Sequence, residues 1–293
     1  MEILITLSDM KNLKRMSHYA PDGLIFGSLF STRFKYSRTK FERINEYCLE
    51  NNIKRYINVD AFIFEHDKGN LYRYFEYLKE INPDGIYFSD LGIINIAKRL
   101  GMADKLIYDP DTLMTNSLDI AFYLKQGLGV VLARELSIKE VLNIIKNNPR
   151  ELDMQVFGYL KMANSRREFL TNYFKHLGQE KLVKNKKSIR LMEENRNYTL
   201  PIVEDEYGTR IYTDYCFVMY REIAYIKDYI KRVIVDDNFI EGDIAFDVVS
   251  DLRRITVSNS DYLYKSLIER YPYINLSSAY LYQKTTKTKE ENE

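Results

Sequence analysis

Two short apolar runs in the middle of the chain end in groups that could do chemistry. The first, residues 130–133, ends in Arg134-Glu135. The second, residues 152–157, leads through Gly158 to Asn164-Ser165-Arg166-Arg167. A glutamate held out of water can act as a general base or order a ligand, and an arginine beside it can bind an anionic substrate group. Equally, Arg134 and Glu135 can form a structural ion pair that caps the next helix. Ser165 sets a hydroxyl beside two guanidinium groups, which match a carboxylate or phosphate bidentately. The same residues also fit the N-cap and solvated first turn of a helix over 166–177. Glu204-Asp205, close to Gly208, reads either as the shaper of a hairpin turn or as part of the site.

Other chemistries are weaker. A serine nucleophile needs a base within hydrogen-bond reach, and no motif links His18, His66 or His176 to Ser165. His66-Asp67 could approach a metal, but a surface loop pair explains it as well. Asp60, Asp90 and Asp109 recur at the ends of strand-like runs. Each alone can cap a helix; brought together they would line one polar pocket. Residues 181–196 with Tyr198 have the basic and aromatic make-up used on RNA, or are a solvated charge run. Only Cys48 and Cys216 occur, far apart. Two cysteines cannot build a Cys-only iron–sulfur or zinc site, so no cofactor of that kind and no metal is expected in this chain.

These groups must be held by regular elements. Strand-like runs at 3–7, 24–27, 55–62, 86–88, 105–108, 130–133 and 152–157 alternate with helical patterns at 9–20, 38–51, 71–78, 93–100, 118–126 and 138–146. Such regular alternation predicts an α/β fold with a parallel sheet wrapped by helices. Seven units by about residue 160 favour a (β/α)8, TIM-barrel-like domain over an open doubly wound sheet. No glycine-rich dinucleotide turn follows the first run, where Leu7-Ser8-Asp9-Met10 stands. In a barrel, ligands bind at the carboxyl ends of the strands.

The alternation breaks after Gly178. An insertion of about 179–215 is expected after strand seven, with an exposed helix or excursion at 181–196 and a β-hairpin over 201–212. Residues 217–226 read as helix, 230–235 as the closing eighth strand and 244–257 as another helix. The domain is expected to span 1–283, with a disordered tail at 284–293.

Forty-three basic and 42 acidic residues leave a formal charge of +1. No global field drives binding to nucleic acid or an anionic membrane, so such a partner must use a local patch. The amino terminus has neither the basic region nor the long apolar run of a signal peptide. No stretch approaches the ~20 apolar residues that span a bilayer. A cytoplasmic protein with no membrane partner is expected.

Ala133-Arg134-Glu135-Leu136-Ser137, the run from Val156-Phe157-Gly158 through Ser165-Arg166-Arg167 to Asn172-Tyr173-Phe174, and the hairpin Pro201 to Thr209 resemble, in order and spacing, the collagenase-like peptidase family U32. The resemblance implies a barrel-like domain and two different functions: proteolysis, for which the family is named, and RNA modification. Short members resembling this chain are associated with prephenate-dependent 5-hydroxyuridine formation at the wobble position of tRNA. On that reading Glu135 is catalytic, Arg134, Ser165, Arg166, Arg167, Asn172 and Asp205 bind substrate, and prephenate is the co-substrate. Partners would be tRNA and a longer, cysteine-bearing paralogue. Where the family has His-Gly this chain has Phe157-Gly158, and Lys161 replaces a family cysteine. The alternatives are a peptidase or a non-catalytic binding subunit.

Overall fold

The early strands are short apolar runs buried on both faces, one turned to the barrel interior and one to the surrounding helices. The computed structural model describes residues 1–179, 181–194 and 197–283. Its strands are β1 (Glu2–Thr6), β2 (Gly23–Phe26), β3 (Lys54–Val59), β4 (Gly85–Phe88), β5 (Leu106–Tyr108), β6 (Gly129–Val131), β7 (Leu152–Ser165), β8 (Arg190–Met192), β9 (Thr199–Asp205), β10 (Gly208–Val218), β11 (Arg232–Val235) and β12 (Leu276–Ser277). Strands β1 to β7 pair in parallel in chain order, and β11 pairs in parallel with both β7 and β1. The sheet therefore closes into an eight-stranded parallel barrel, the (β/α)8 architecture.

The inward faces meet in a small cluster of Leu4, Ile25, Tyr56, Tyr87, Ile107, Val131 and Ile234, covered by Phe34 from the loop after β2. The outward faces join the apolar stripes of the helices in a much larger core. One such helix, Ile138–Asn147, starts at a capping box in which the Ser137 N–H donates to Glu140 at 2.8 Å. It buries Val141, Ile144 and Ile145. At the amino-terminal end of the barrel the core is ionic. The Arg232 Nε donates to both Asp153 oxygens at 2.8 and 2.9 Å, and the Tyr87 hydroxyl donates to the same carboxylate at 2.7 Å. Burial pushes the Asp153 carboxyl up, against the pull of Arg232.

β7 leaves the barrel half-way along its length. Gly158 has φ +116°, and a Cβ there would sit 2.5 Å from the Asp236 carbonyl oxygen, so only glycine allows this bend against β11. Beyond it β7 pairs antiparallel with β10, β10 with β9, and β9 with β8. This sheet is the insertion. Its tight turn, Asp205-Glu206-Tyr207-Gly208, again needs glycine: Gly208 has φ +103°, and a Cβ would lie 2.0 Å from the Ser165 carbonyl oxygen.

The strand expected at 152–157 thus runs on to Ser165. The helix expected over 217–226 begins only at Arg221, because β10 holds the chain extended to Val218. Among the described residues of 181–196 there is no helix, only turns and β8. A further helix, Ser260–Arg270, follows Ile244–Arg254. The expected tail at 284–293 lies outside the described residues. No helix among the described residues is long and apolar enough to cross a membrane.

Removing one partner of a buried ion pair strands the other in low dielectric, at a cost of roughly 3–5 kcal/mol. Asp153→Ala is therefore expected to lower unfolding free energy by about that amount in urea titrations. A loss within the noise of a surface substitution would show that Arg232 does not depend on it.

Candidate functional site

The loop of residues 27–37, between β2 and the helix Arg38–Glu50, lies as a strap across the carboxyl end of the barrel. It is pinned to β3: the Ser31 hydroxyl donates to Asn58 at 2.5 Å, and Thr32 donates to Asp60 from its N–H at 2.7 Å and its hydroxyl at 2.6 Å. So anchored, the strap sends Arg33 into the mouth, where Nη1 donates to Asp236 Oδ2 at 2.7 Å. Asp60 and Asp111 lie 3.7 Å from other nitrogens of the same guanidinium.

Arg134 enters from the end of β6. Its Nε donates to Gln155 at 2.6 Å, Nη1 to Asp109 at 3.0 Å and Asp111 at 2.9 Å, and Nη2 to Asp109 at 3.0 Å. Lys161, just past the bend in β7, reaches Asp111 at 2.8 Å and Asp60 at 3.3 Å. Three cations and four carboxylates thus share one buried network. Burial alone would raise the carboxyls, but Lys161 and Arg33 hold Asp60 well below the usual range, and Arg134 does the same for Asp109. Arg33, Arg134 and Lys161 are desolvated too, yet the aspartates keep all three more firmly protonated than in water.

Next to this closed network the mouth is open. A cleft of about 950 Å³ lies over the ends of β1 and β11, lined by Ser8, Lys11, Arg15, Lys187, Arg190 and Asp237 among others. Asp237 is its buried acid. It accepts from the Thr6 hydroxyl at 2.6 Å and from the Ser8 N–H at 3.0 Å. Burial outweighs these bonds and raises its carboxyl to about 6. Lys187 comes from the insertion. Its stem is exposed, while its ammonium turns inward to donate to Asn238 at 2.7 Å, and desolvation holds it below the usual lysine range. Arg190 donates to the backbone carbonyls of Lys187 and Ile189. Arg15 faces Asp243 at 2.6 Å and Lys11 faces Asp9 at 3.4 Å. A cleft with these cations and an acid titrating near neutrality can bind a carboxylate or phosphate and exchange a proton with it.

Of the residues singled out from the sequence, Arg134 is at the centre of the mouth. Glu135 is exposed: Arg134 turns inward and its neighbour faces the other way, so Glu135 is not the buried carboxylate expected. Asp60 and Asp109 converge on the mouth, while Asp90 ties down loops by accepting from the Ile63 and Gly92 N–H groups. Ser165 ends β7, where its hydroxyl accepts from the Arg167 N–H at 3.2 Å. It does not cap the next helix, which starts later, at Phe169–His176. There Glu204 accepts from the N–H groups of Leu170 at 2.7 Å and Thr171 at 3.1 Å. Arg166 lies over the Phe64 ring and pairs with Asp67 at 3.0 Å. Arg167 and Asn172 are exposed. Asp205 is fully buried and forks Arg210, with bonds of 2.8 and 2.6 Å; it shapes the hairpin. His18, His66 and His176 are all exposed.

Sequence reasoning did not single out Arg33, Asp236, Asp237 or Lys187. Asp236-Asp237 carried a readable signal, since they follow the apolar run 230–235 as Asp109 follows 105–108. Arg33 sits in a polar loop with no periodicity to place it, and Lys187 is one of several lysines in a charge run.

A sequence model of peptidase family U32 matches residues 8–242. A tRNA hydroxylation protein P2 of Bacillus subtilis is 31% identical over 191 residues, 63% of this chain and 62% of that protein. An uncharacterized protease of Methanocaldococcus jannaschii is 28% identical over 59% of this chain and 44% of its own length. A tRNA hydroxylation protein P1 of Bacillus subtilis is 25% identical over 59% of this chain and 42% of its own. The matched region thus spans less than two thirds of each relative. A solved U32 peptidase structure is 14% identical, covering 80% of this chain and 92% of that one, with a TM-score of 0.49.

The folded chain holds the Asp237 proton more tightly than the unfolded one, whose carboxyl titrates near 3.8. This group's stabilisation is therefore complete below about pH 4 and is lost as pH rises to about 6. Asp237→Asn removes that loss. The difference in unfolding free energy between variant and wild type should shift in the variant's favour by about 2 kcal/mol from pH 4 to pH 7. A difference that does not change with pH would mean the Asp237 carboxyl titrates normally.

Proposed function

The chain belongs to peptidase family U32, and within it we propose that it acts in tRNA modification, forming 5-hydroxyuridine at the wobble position with prephenate as co-substrate. The observation that carries this reading is the open cationic cleft beside a charge-locked barrel mouth. Prephenate is a dicarboxylate, and guanidinium and ammonium groups recognise carboxylates directly. Lys187 and Arg190 are the proposed ligands for its carboxylates, with Asp237 within the same cleft to give or take a proton. Arg134 acts here as a positioning residue, holding the aspartates around it. The family resemblance also names Glu135, Ser165, Arg166, Arg167, Asn172 and Asp205. The proposed chemistry rests instead on the cleft residues, because none of these six lines the cleft beside Asp237 and Asp205 is tied to Arg210.

The names of the Bacillus subtilis relatives support a tRNA role and suggest paired proteins. A longer cysteine-bearing paralogue is the proposed partner for any redox step, acting with this chain in the cytoplasm. A peptidase reading finds less support. Both thiols are buried, and burial pushes Cys48 up to about 12 and Cys216 further, so neither is a ready nucleophile.

Mass spectrometry of tRNA nucleosides from a deletion strain without compensating paralogues should show loss of hydroxyuridine and its derivatives. A plasmid copy of the wild type should restore them, and a Lys187→Ala/Arg190→Ala copy should restore less than about a tenth, the effect of losing ~1.4 kcal/mol or more of anion binding. Unchanged hydroxyuridine in the deletion strain overturns the reading.

A further inference from the structure

On the same face of the barrel, the strap leaves a second cavity on its outer side. It measures about 520 Å³ and lies between the helices Arg38–Glu50 and Lys68–Ile81 and the turn of the β9–β10 hairpin. Phe30, Tyr36, Tyr74, Tyr77 and Tyr207 form its walls. The walls are fixed in place. Phe30 takes a left-handed conformation, φ +55°, which a bulky residue rarely adopts, and its N–H donates to the Tyr207 hydroxyl at 2.7 Å. The Tyr36 hydroxyl donates to the Leu7 carbonyl at 2.8 Å, beside the cleft residue Ser8.

Two features point to what this cavity takes. Tyr74 is only 5% exposed, yet its hydroxyl proton has no acceptor among the described residues; the Ser28 N–H beside it is itself a donor. Buried hydroxyls are nearly always satisfied, so this hydroxyl is a donor that a ligand's acceptor can meet. At the rim, Arg73 brings a positive charge bonded to the neutral Asn70 at 2.6 Å, and Arg38 is paired with Glu42 at 2.8 Å. The Arg38 guanidinium lies 4.8 Å from the centroid of the Tyr77 ring, marking where a planar group stacks.

We propose that this cavity holds one unstacked nucleobase of single-stranded RNA, stacked on Tyr77, with a base carbonyl accepting from the Tyr74 hydroxyl and a flanking phosphate held by Arg73. A purely apolar ligand would leave the Tyr74 hydroxyl unsatisfied and Arg73 without an anion. A nucleobase carries a π-face, an acceptor and an adjacent anion together. The proposal rests on the reading of this chain as an RNA-modifying protein and names where that RNA is gripped.

The test is fluorescence anisotropy of a labelled RNA hairpin with a uridine-rich loop, titrated with the full chain and its variants. Tyr77→Ala should weaken binding about tenfold, in line with base–aromatic stacking, while Tyr77→Phe stays close to wild type. Tyr74→Phe should weaken binding about fivefold yet raise Tm, because it removes an unpaired buried hydroxyl. A merely structural role for Tyr74 would not move the two in opposite directions. Wild-type affinity in both Tyr77→Ala and Tyr74→Phe overturns the pocket and leaves the modification reading standing. Failure of the wild type to bind the hairpin at micromolar protein and low salt also overturns it, and the nucleoside assay then decides separately whether the chain acts on tRNA.

Discussion

Putting Arg33, Arg134 and Lys161 out of water is the constraint around which the carboxyl end of this barrel is arranged. Each cation would be intolerable there alone. Together with Asp60, Asp109, Asp111 and Asp236 they are tolerable only if the strands delivering them stay in register. The network draws on the strap after β2, on the ends of β3, β5, β6 and β11, and on β7 beyond its bend. A slip of one residue in any of these strands would turn its charge to the opposite face. The network therefore acts as a registry device, tying distant segments to one geometry.

Because those charges pair with one another, the mouth at that point is filled by the protein's own ion pairs. What stays open is the sector over β1 and β11, where the insertion contributes Lys187 and Arg190. The division of labour is physical. Within the network nearly every donor is taken, the Arg33 Nε being the exception, whereas among the described residues Lys187 and Arg190 bond uncharged amide groups at the edge of an open cleft. An almost neutral chain can bind anions in this way, with a local cluster of cations and no global field.

The barrel was legible because its signal is periodic: apolar runs of strand length alternating with helical patterns, each unit closed by turn residues. Arg134, Asp60 and Asp109 were legible for the same reason, since the carboxyl end of a strand is a place the pattern can locate. Glu135 was misplaced because the pattern locates a strand end but not which of two successive side chains turns inward. Glu204 and Asp205 read from the sequence either as hairpin residues or as part of the site, and no local spacing could show that Asp205 forks Arg210 or that Glu204 caps the helix Phe169–His176 from across the sheet. Arg33 could not be read at all. Its position depends on tertiary pinning of a loop by Asn58 and Asp60, which no local spacing encodes.

Phe157 shows how one backbone feature decides what chemistry the mouth can host. Asp153 and Gln155 point into the barrel, so simple alternation would aim residue 157 there too. Instead the pairing of β7 with β11 shifts register between Ile234 and Val235. Phe157 then joins the outer core, fully buried among apolar neighbours. A histidine at this position would be held in that apolar layer, where burial disfavours its charged form, and not among the mouth's aspartates. The same irregularity and the Gly158 bend bring Lys161 into the mouth, as a permanent cation and not a titrating group. In the proposed function, proton exchange at this end of the barrel falls to Asp237, whose carboxyl burial raises to about 6.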